Sequence, residues 1–244
     1  MITLGIDLAA QPENTAACSV DWRDGGARVV DVACDQDDEA LARHIAAADK
    51  VGVDVPFGWP EAFVAAVARF HAGGAWPEMP TVMLRYRETD RHVQAVTGHW
   101  PLSVSTDRIG VPTFRAARLL SRLTVQTQAV DRVGAALFVE VYPAAALRRW
   151  GFAATGYKGP KGAARLAALF AGFQARTRAW LDLGRARQRC GTSADAFDAL
   201  VAALVARAAG LGLCEGPPPH LADLATREGW IALPAGDALD RLAT

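Results

Sequence analysis

The chain has 244 residues, of which 51% are hydrophobic, and its acidic and basic residues balance to a net charge of zero. This length allows one large domain with a substantial core, and no apolar run approaches the roughly 20 residues that span a bilayer. The start also lacks the basic and then apolar pattern of a secretory signal. The four scattered cysteines have no metal-ligand spacing, which disfavours structural zinc and is typical of reduced thiols in a cytoplasmic protein.

The balanced net charge conceals a polarised distribution. Between Arg108 and Arg189 there are fifteen Lys or Arg against three acids, whereas residues 1–61 carry twelve acids against four basic residues. A basic middle segment is typical of a nucleic-acid partner. The alternative is that arginines on solvent-facing helices answer the acidic first third of the same fold.

The first third of the chain reads as a strand-rich unit. Short apolar or β-branched runs separated by turn signals predict an antiparallel meander of three strands, at residues 2–9, 15–22 and 27–33. Acids at positions 37–39 open a helix to about residue 48. A fully apolar strand follows at residues 50–55, and because it is reached through a helix it is expected to run parallel to an earlier strand.

The rest of the chain is mainly helical. Further strands are predicted at residues 136–142 and 229–233, and helices at residues 60–72, 88–96, 113–132 (capped by Thr113), 144–150, 161–183 and 193–209. The order of elements indicates a single α/β domain over residues 1–244. Its mixed five-stranded sheet is flanked by helices, with an irregular and helical insertion at about residues 57–132, after the fourth strand.

Two acids occupy matching places in predicted strands. Asp7 and Asp54 each follow a glycine by two residues, so each acid shares a strand face with that glycine. If these strands are parallel neighbours, their carboxyl ends bring the two acids together at the edge where open α/β sheets hold ligands. Read singly, Asp7 could cap a turn and Asp54 could be held at the bend made by Pro56.

Three further acids are candidates for the same site. Asp195 and Asp198 lie three residues apart and therefore share a helix face. Asp195 also fits a capping box with Thr192, whereas Asp198 lies in an otherwise apolar helix and is expected to be buried. Glu140 lies inside an apolar strand, and its alternative role is a structural pair with an arginine such as Arg148. Gathering like charges is explained most simply by a divalent cation.

The positions of these acids resemble those of ribonuclease H-like nucleases, especially Holliday-junction resolvases. More narrowly, the sequence resembles the domain of unknown function 429 family, described as predicted nucleases of that fold. The stretches that carry the resemblance run from end to end of the chain: Gly5-Ile6-Asp7, Val53-Asp54-Val55-Pro56-Phe57-Gly58, Arg87-Glu88-Thr89-Asp90, Val139-Glu140-Val141-Tyr142-Pro143, Asp195-Ala196-Phe197-Asp198-Ala199 and Glu228-Gly229-Trp230-Ile231.

This resemblance implies a two-metal phosphodiesterase with a ribonuclease H-like fold, acting on DNA or RNA. Asp7 would bridge two Mg²⁺ or Mn²⁺ ions, Asp54 would complete one site and Asp195 or Asp198 the other, while Glu140 would be a ligand or a base nearby. An all-carboxylate set suits these hard cations. The resemblance leaves the oligomeric state open, although junction resolvases of this fold are commonly dimers, so a homodimer is compatible with it.

Three residues are candidates for contacting the substrate. Arg87 and Asp90 form either an ion pair that orders the chain or a contact to a phosphate. Lys158, in the glycine-flanked stretch Gly156-Tyr157-Lys158-Gly159, is a candidate phosphate contact, and its alternative is an exposed turn lysine.

Two other functions stay open. A Mg-nucleotide-dependent phosphotransferase or ATPase of the related actin-like fold also uses acids of the first and fourth strands. Such enzymes normally bind phosphates with glycine-rich hairpins, and Asp24-Gly25-Gly26 is a faint match to one. A non-catalytic nucleic-acid-binding module is the third possibility, which the intact set of acids disfavours.

Overall fold

The computed structural model describes residues 1–23, 25–123 and 130–243. The strands within them are β1 (Ile2–Asp7), β2 (Ala16–Arg23), β3 (Gly26–Ala33), β4 (Lys50–Asp54), β5 (Phe138–Glu140), β6 (Leu181–Asp182), β7 (Cys214–Glu215) and β8 (Leu233–Pro234). The α-helices are α1 (Asp38–Ala46), α2 (Glu61–His71), α3 (Thr81–Arg85), α4 (Glu88–Thr97), α5 (Gly110–Leu123), α6 (Pro143–Arg149), α7 (Ala163–Thr177), α8 (Ala186–Thr192), α9 (Ala194–Gly210), α10 (Ala222–Glu228) and α11 (Ala238–Arg241).

The main sheet is mixed, with the strand order β5-β4-β1-β2-β3-β6. The meander predicted for the first three strands is confirmed, since β2 pairs antiparallel with both β1 and β3. The predicted parallel partnership of β1 and β4 is confirmed as well, and β5 continues parallel beyond β4. The carboxyl ends of β1, β4 and β5 therefore meet at one edge of the sheet.

Helices cover both faces of this sheet. On one face, Leu4 and Ile6 of β1 pack with apolar side chains of α1 and α5. On the other face lies α9, nearly all of whose side chains from Ala196 to Ala208 are buried among β2, α6, α7 and α8. A helix that is apolar all round is expected at the centre of a core, and α9 occupies that place.

The main sheet has six strands, one more than the five that were predicted. The chain from Lys161 was expected to stay helical to Leu183, but α7 ends at Thr177 and Leu181–Asp182 adds a sixth strand beside β3. The backbone N–H of Ala27 donates to the carbonyl of Trp180 at 2.7 Å. The pairing of β6 with β3 satisfies backbone groups that an open sheet edge would leave unpaired. The apolar periodicity from which the longer helix was predicted carries no information about an unpaired sheet edge elsewhere in the chain.

The last predicted strand, at residues 229–233, does not join the main sheet as a strand. Ile231 makes a single bridge to Glu140, while Leu233–Pro234 pairs with Cys214–Glu215 in a separate two-stranded ribbon. Proline cannot donate to a ladder, which is consistent with so short a pairing.

Two helix ends also differ from the prediction. The helix expected at residues 113–132 begins at Gly110, so Thr113 is not its cap. The Thr113 hydroxyl instead donates to the carbonyl of Ile109, the residue before the helix. Residues 124–129 of that prediction lie outside the described residues. Ser193, rather than Thr192, caps α9 by accepting a hydrogen bond from the N–H of Ala196 at 3.2 Å.

Other features of the fold bear on the remaining sequence predictions. Asp37 caps α1 by accepting from the N–H of Ala40 at 2.8 Å, and the four cysteines are free thiols. Arg115 and Arg118 of the basic middle segment pair with Asp38 of the acidic first third. These two arginines therefore follow the second interpretation of the charge pattern, in which basic residues pair with acids of the same fold. Across the described ranges, the helices are too short or too polar to cross a membrane.

Candidate active site

Asp7 and Asp54 stand side by side at the carboxyl edge of the sheet. In the parallel pairing of β1 and β4, Gly5 is opposite Gly52 and Asp7 is opposite Asp54. Both acids are mostly buried, with side-chain exposures of 13% and 19%. The structure therefore has the side-by-side arrangement of Asp7 and Asp54 that the matching Gly-x-Asp stretches predicted.

The two glycines decide where α9 can lie. A Cβ atom added at Gly5 would stand 2.0 Å from the carbonyl oxygen of Ala199, and one added at Gly52 would stand 2.4 Å from that of Ala202. Only a residue without a side chain lets the helix backbone approach this closely. This close approach brings Asp198, one residue before Ala199, to the ends of the two strands.

Lys158 joins the three acids from a loop. Its ammonium Nζ lies 3.8 Å from Oδ2 of Asp7, 3.9 Å from Oδ2 of Asp54 and in direct contact with Oδ2 of Asp198. The hydroxyl of Tyr157 donates to the other oxygen of Asp198 at 2.7 Å. We call Asp7, Asp54 and Asp198 the carboxylate cluster, and it converges on one cationic atom.

The ionisation of these groups is strongly perturbed. Burial raises the pKa of Asp7 well above its usual range, and the charges of Asp54 and Asp198 add to this effect. Burial also raises the pKa of Asp54 to about 7. For Lys158, burial acts to lower the pKa but the three carboxylates outweigh it and raise the pKa well above the usual range. Strongly perturbed acids grouped at one edge are typical of functional sites.

One carboxylate oxygen of the cluster is held only by an ion pair with Lys158. Asp198 is fully buried, and its Oδ2 has no hydrogen-bond partner of acceptable geometry, although the ammonium of Lys158 lies against it. Oxygen atoms are the donors that Mg²⁺ and Mn²⁺ prefer. The donor set and this buried oxygen therefore fit a hard divalent cation.

The side chains are not in a ligand arrangement as they stand. Among the described residues, no three His, Cys, Asp or Glu side chains are placed so that they could hold a metal ion. The ammonium of Lys158 takes the position between the acids. A cation could share this site only after Lys158 has moved away.

Asp195 lies at the rim of the carboxylate cluster. It is partly buried on the first turn of α9, and its charge contributes to the raised pKa of Asp7. Burial raises the pKa of Asp195 itself, and Asp198 adds to that rise. The helix spacing thus brings both aspartates toward the same strand ends, with Asp198 at the centre and Asp195 outside it.

Glu140 belongs to a different network. Both of its oxygens accept hydrogen bonds from Arg87, at 2.7 and 2.9 Å, and the N–H of Phe57 donates to it at 2.8 Å. Arg87 also pairs with Asp90, which is fully buried, at 2.9 Å. The ordering ion pair considered for Arg87 and Asp90 is thus present, and the arginine partner of Glu140 is Arg87 rather than Arg148.

This network positions the chain after β4 and the start of α4. Asp90 accepts from the N–H of Arg87 at 2.9 Å, and Arg87 also donates to the carbonyl of Glu228 at 3.1 Å. Burial acts to lower the pKa of Arg87, but Asp90 and Glu140 raise it above its usual range. A buried charge that is fully paired in this way orders the surrounding loops.

A pocket of about 300 Å³ opens beside the carboxylate cluster. Its lining includes Asp54, Tyr142, Arg148, Tyr157 and Lys158. Tyr157 and Tyr142 were not among the site residues predicted from the sequence. Tyr157 could have been found from its place next to Lys158 between two glycines, whereas nothing local to Tyr142 marks it.

The family of the chain is shown by comparison with known proteins. The model of the family described as "Protein of unknown function (DUF429)" matches residues 5–223. The chain therefore belongs to this family, as the resemblance of its motifs indicated. No curated protein and no solved structure matches the chain.

Proposed function

We propose that this member of the DUF429 family is a divalent-metal-dependent nuclease, which hydrolyses phosphodiester bonds of DNA or RNA at the carboxylate cluster. The observation that carries the proposal is the convergence of Asp7, Asp54 and Asp198 on one cationic atom. Three acids so placed, one of them fully buried, are costly for a fold to keep unless a positive charge stands among them. Lys158 supplies that charge here, and a divalent cation would supply it once Lys158 has moved away.

The architecture supports assignment to the ribonuclease H-like class. Three antiparallel strands are followed by two parallel ones in the order β3-β2-β1-β4-β5. The acids stand at the ends of β1 and β4 and on the late helix α9, as the resemblance implies. The short strand β6 is an addition at the outer edge of β3.

The roles of the residues follow from their places. Asp7 and Asp54 would hold the cations between the two strand ends. Asp198 would contribute the Oδ2 that now contacts Lys158, and Asp195 would serve a second ion from the rim. Bound Mg²⁺ or Mn²⁺ supplies Lewis-acid stabilisation of charge on phosphate oxygens and a more acidic water. Tyr157 holds Asp198 in orientation through its 2.7 Å hydrogen bond.

Lys158 is proposed to alternate between two partners. Its side chain is 50% exposed, and it stands between Gly156 and Gly159, whose φ angles are positive. When cations occupy the carboxylate cluster, the ammonium is displaced and can contact the phosphate of the substrate instead. Glu140 then acts indirectly, by fixing the chain around Phe57 after β4.

The hairpin between β2 and β3 favours this function over a phosphotransferase. Ala16 at the start of β2 pairs with Asp7, whereas Arg23 at its end pairs with Gly26 next to the turn. An extended strand of that length places the turn roughly 20 Å from the acids. A glycine-rich hairpin that far away would not bind phosphates of a nucleotide held at the carboxylate cluster.

The test is cleavage of labelled single-stranded, duplex and branched nucleic acids with Mn²⁺. We expect the wild type to cleave at least one of them and Asp7→Asn to abolish cleavage. Asp31→Asn is the matched control, because Asp31 is an exposed acid on another strand of the same sheet. No cleavage of any substrate, together with thermal stabilisation by Mg-ATP, would replace the nuclease with a phosphotransferase.

A further inference from the structure

The pocket beside the carboxylate cluster has mainly apolar walls and a few charged groups. Asp54 and Lys158, which line it, also belong to the proposed catalytic site. Glu140 lines it as well, paired with Arg87. Pro101, Leu102 and Ile109 form part of the walls. Concave sites of this size with mainly apolar walls and a few polar groups hold small ligands or single units of larger ones, whereas a duplex requires an open groove.

The two arginines of the pocket differ in their partners. Arg87 is neutralised by Glu140 and Asp90. Arg148, on α6, has no carboxylate within ion-pairing distance in the described parts of the chain. Its hydrogen bonds to the carbonyl of Ala144 and the hydroxyl of Thr155 are both long, at 3.4 Å. It also hydrogen-bonds the hydroxyl of Tyr142, so its partners are all neutral groups.

Arg148 is therefore available to an anion that enters the pocket. It is partly buried, and a guanidinium in such a place gains more from an anion than one in open water. Its planar fork of N–H groups matches the oxygens of a phosphate. Lys158 brings a second cation to the same pocket.

The walls suit a flat ring. Tyr142 is partly buried beside Ile231 in a small apolar cluster, and both line the pocket. Leu102, which also lines it, leaves 47% of its surface exposed. Aromatic and apolar side chains hold nucleobases by stacking and contact, largely irrespective of sequence.

We infer that this pocket binds one nucleotide through its monophosphate group, with Arg148 as the phosphate-binding residue and the apolar walls against the base. The inference rests on the proposed function, because that function supplies the phosphate ligand and the adjacent reaction site. Its ligand is a phosphomonoester of a nucleoside, which occurs as a free mononucleotide or as the phosphorylated end of a strand.

The test measures binding rather than hydrolysis. Adenosine 5′-monophosphate is titrated into the full chain in EDTA by isothermal calorimetry, so that neither metal nor cleavage contributes. We expect saturable binding that Arg148→Gln weakens by about tenfold, and that Arg148→Lys restores in part. Arg43→Gln is the matched control, because this substitution removes the same charge from an exposed position on α1.

A competition arm separates the two sources of the ligand. If a 5′-phosphorylated oligonucleotide displaces the mononucleotide while its unphosphorylated form does not, the pocket holds a strand end; if neither does, it holds the free nucleotide. No saturable binding, or Arg148→Gln binding as tightly as the wild type, would overturn the inference. Binding as expected in a chain that cleaves nothing would uphold the pocket and remove the proposed nuclease.

Discussion

Replacing Gly5 by alanine tests the close approach on which the carboxylate cluster depends. The added Cβ would stand 2.0 Å from the carbonyl oxygen of Ala199 and 2.2 Å from the backbone nitrogen of Ala203, whereas ordinary contact begins at 3.4 Å. The helix or the strand would have to move by about 1.4 Å, the difference between 3.4 and 2.0 Å. Both obstacles are backbone atoms of the buried helix α9, so no side chain can turn aside.

The expected loss of stability follows from this geometry. Overpacking that side chains can absorb costs about 1–3 kcal/mol, so a backbone obstacle is expected to cost about 3 kcal/mol or more. For a chain of this length the corresponding fall in Tm is at least about 6 °C. Gly52→Ala, with its nearest contact at 2.4 Å, should be less harmful. The displaced helix carries Asp198, so stabilisation of the folded protein by Mn²⁺ should also be lost.

Urea unfolding followed by tryptophan fluorescence measures the effect. The matched control is Gly172→Ala in α7, where an added Cβ meets no heavy atom within 4 Å. That variant should be more stable by about 0.5–1 kcal/mol, because alanine is the better helix former. The same substitution is thus predicted to act in opposite directions at two sites. A Gly5→Ala protein as stable as the wild type would refute the reasoning.

Three further predictions concern charges. Because burial raises the pKa of Asp54 to about 7, above its unfolded value of about 3.9, the folded state binds the extra proton and stability should fall as pH rises from about 4 to about 7. Between pH 5 and pH 8, Asp54→Asn should remove up to about 3 kcal/mol of that fall. Denaturation at these two pH values in EDTA measures it, and parallel wild-type and variant profiles would contradict it. Glu140→Gln leaves Arg87 buried with one charged partner fewer and should cost about 3–5 kcal/mol. Glu61→Gln, at an exposed ion pair, should change stability little, and equal losses in thermal unfolding would count against this account. Lys158→Met should bind Mn²⁺ about tenfold more tightly or better, since an ammonium within 4 Å of the acids repels the ion; unchanged affinity by calorimetry would show that the ammonium and the ion do not compete.

Local sequence was sufficient to predict the pairing of the two acid-bearing strands. Gly5-x-Asp7 and Gly52-x-Asp54 place glycine and acid on one face at the same spacing, and in the structure they lie in matching register. The role of Gly5 and Gly52 could be predicted only in part, as an open strand face that something can approach. They do leave room for a backbone to approach, but that backbone is α9 of the same chain.

Glu140 and Lys158 show why the site could not be completed from the sequence. Glu140 alternates correctly for a buried strand acid, yet its partner Arg87 lies 53 residues earlier, on another element. Lys158 is on a loop without periodicity, so its distance from Asp7 depends on how that loop returns over the sheet. Partners brought together by long-range packing leave no spacing rule in the chain.

The sequence by itself determined the strands and helices with strong apolar periodicity, the parallel register of β1 and β4, and the burial of Asp198. These features depend on alternation, helix spacing and hydrophobicity, which act over a few residues at a time. Only the tertiary structure decided that Lys158 stands among the acids, that Glu140 is tied to Arg87, and that a sixth strand closes the outer edge of β3. Each of these is a pairing between distant segments, because buried charges and open sheet edges take whichever partner the packed fold brings within reach.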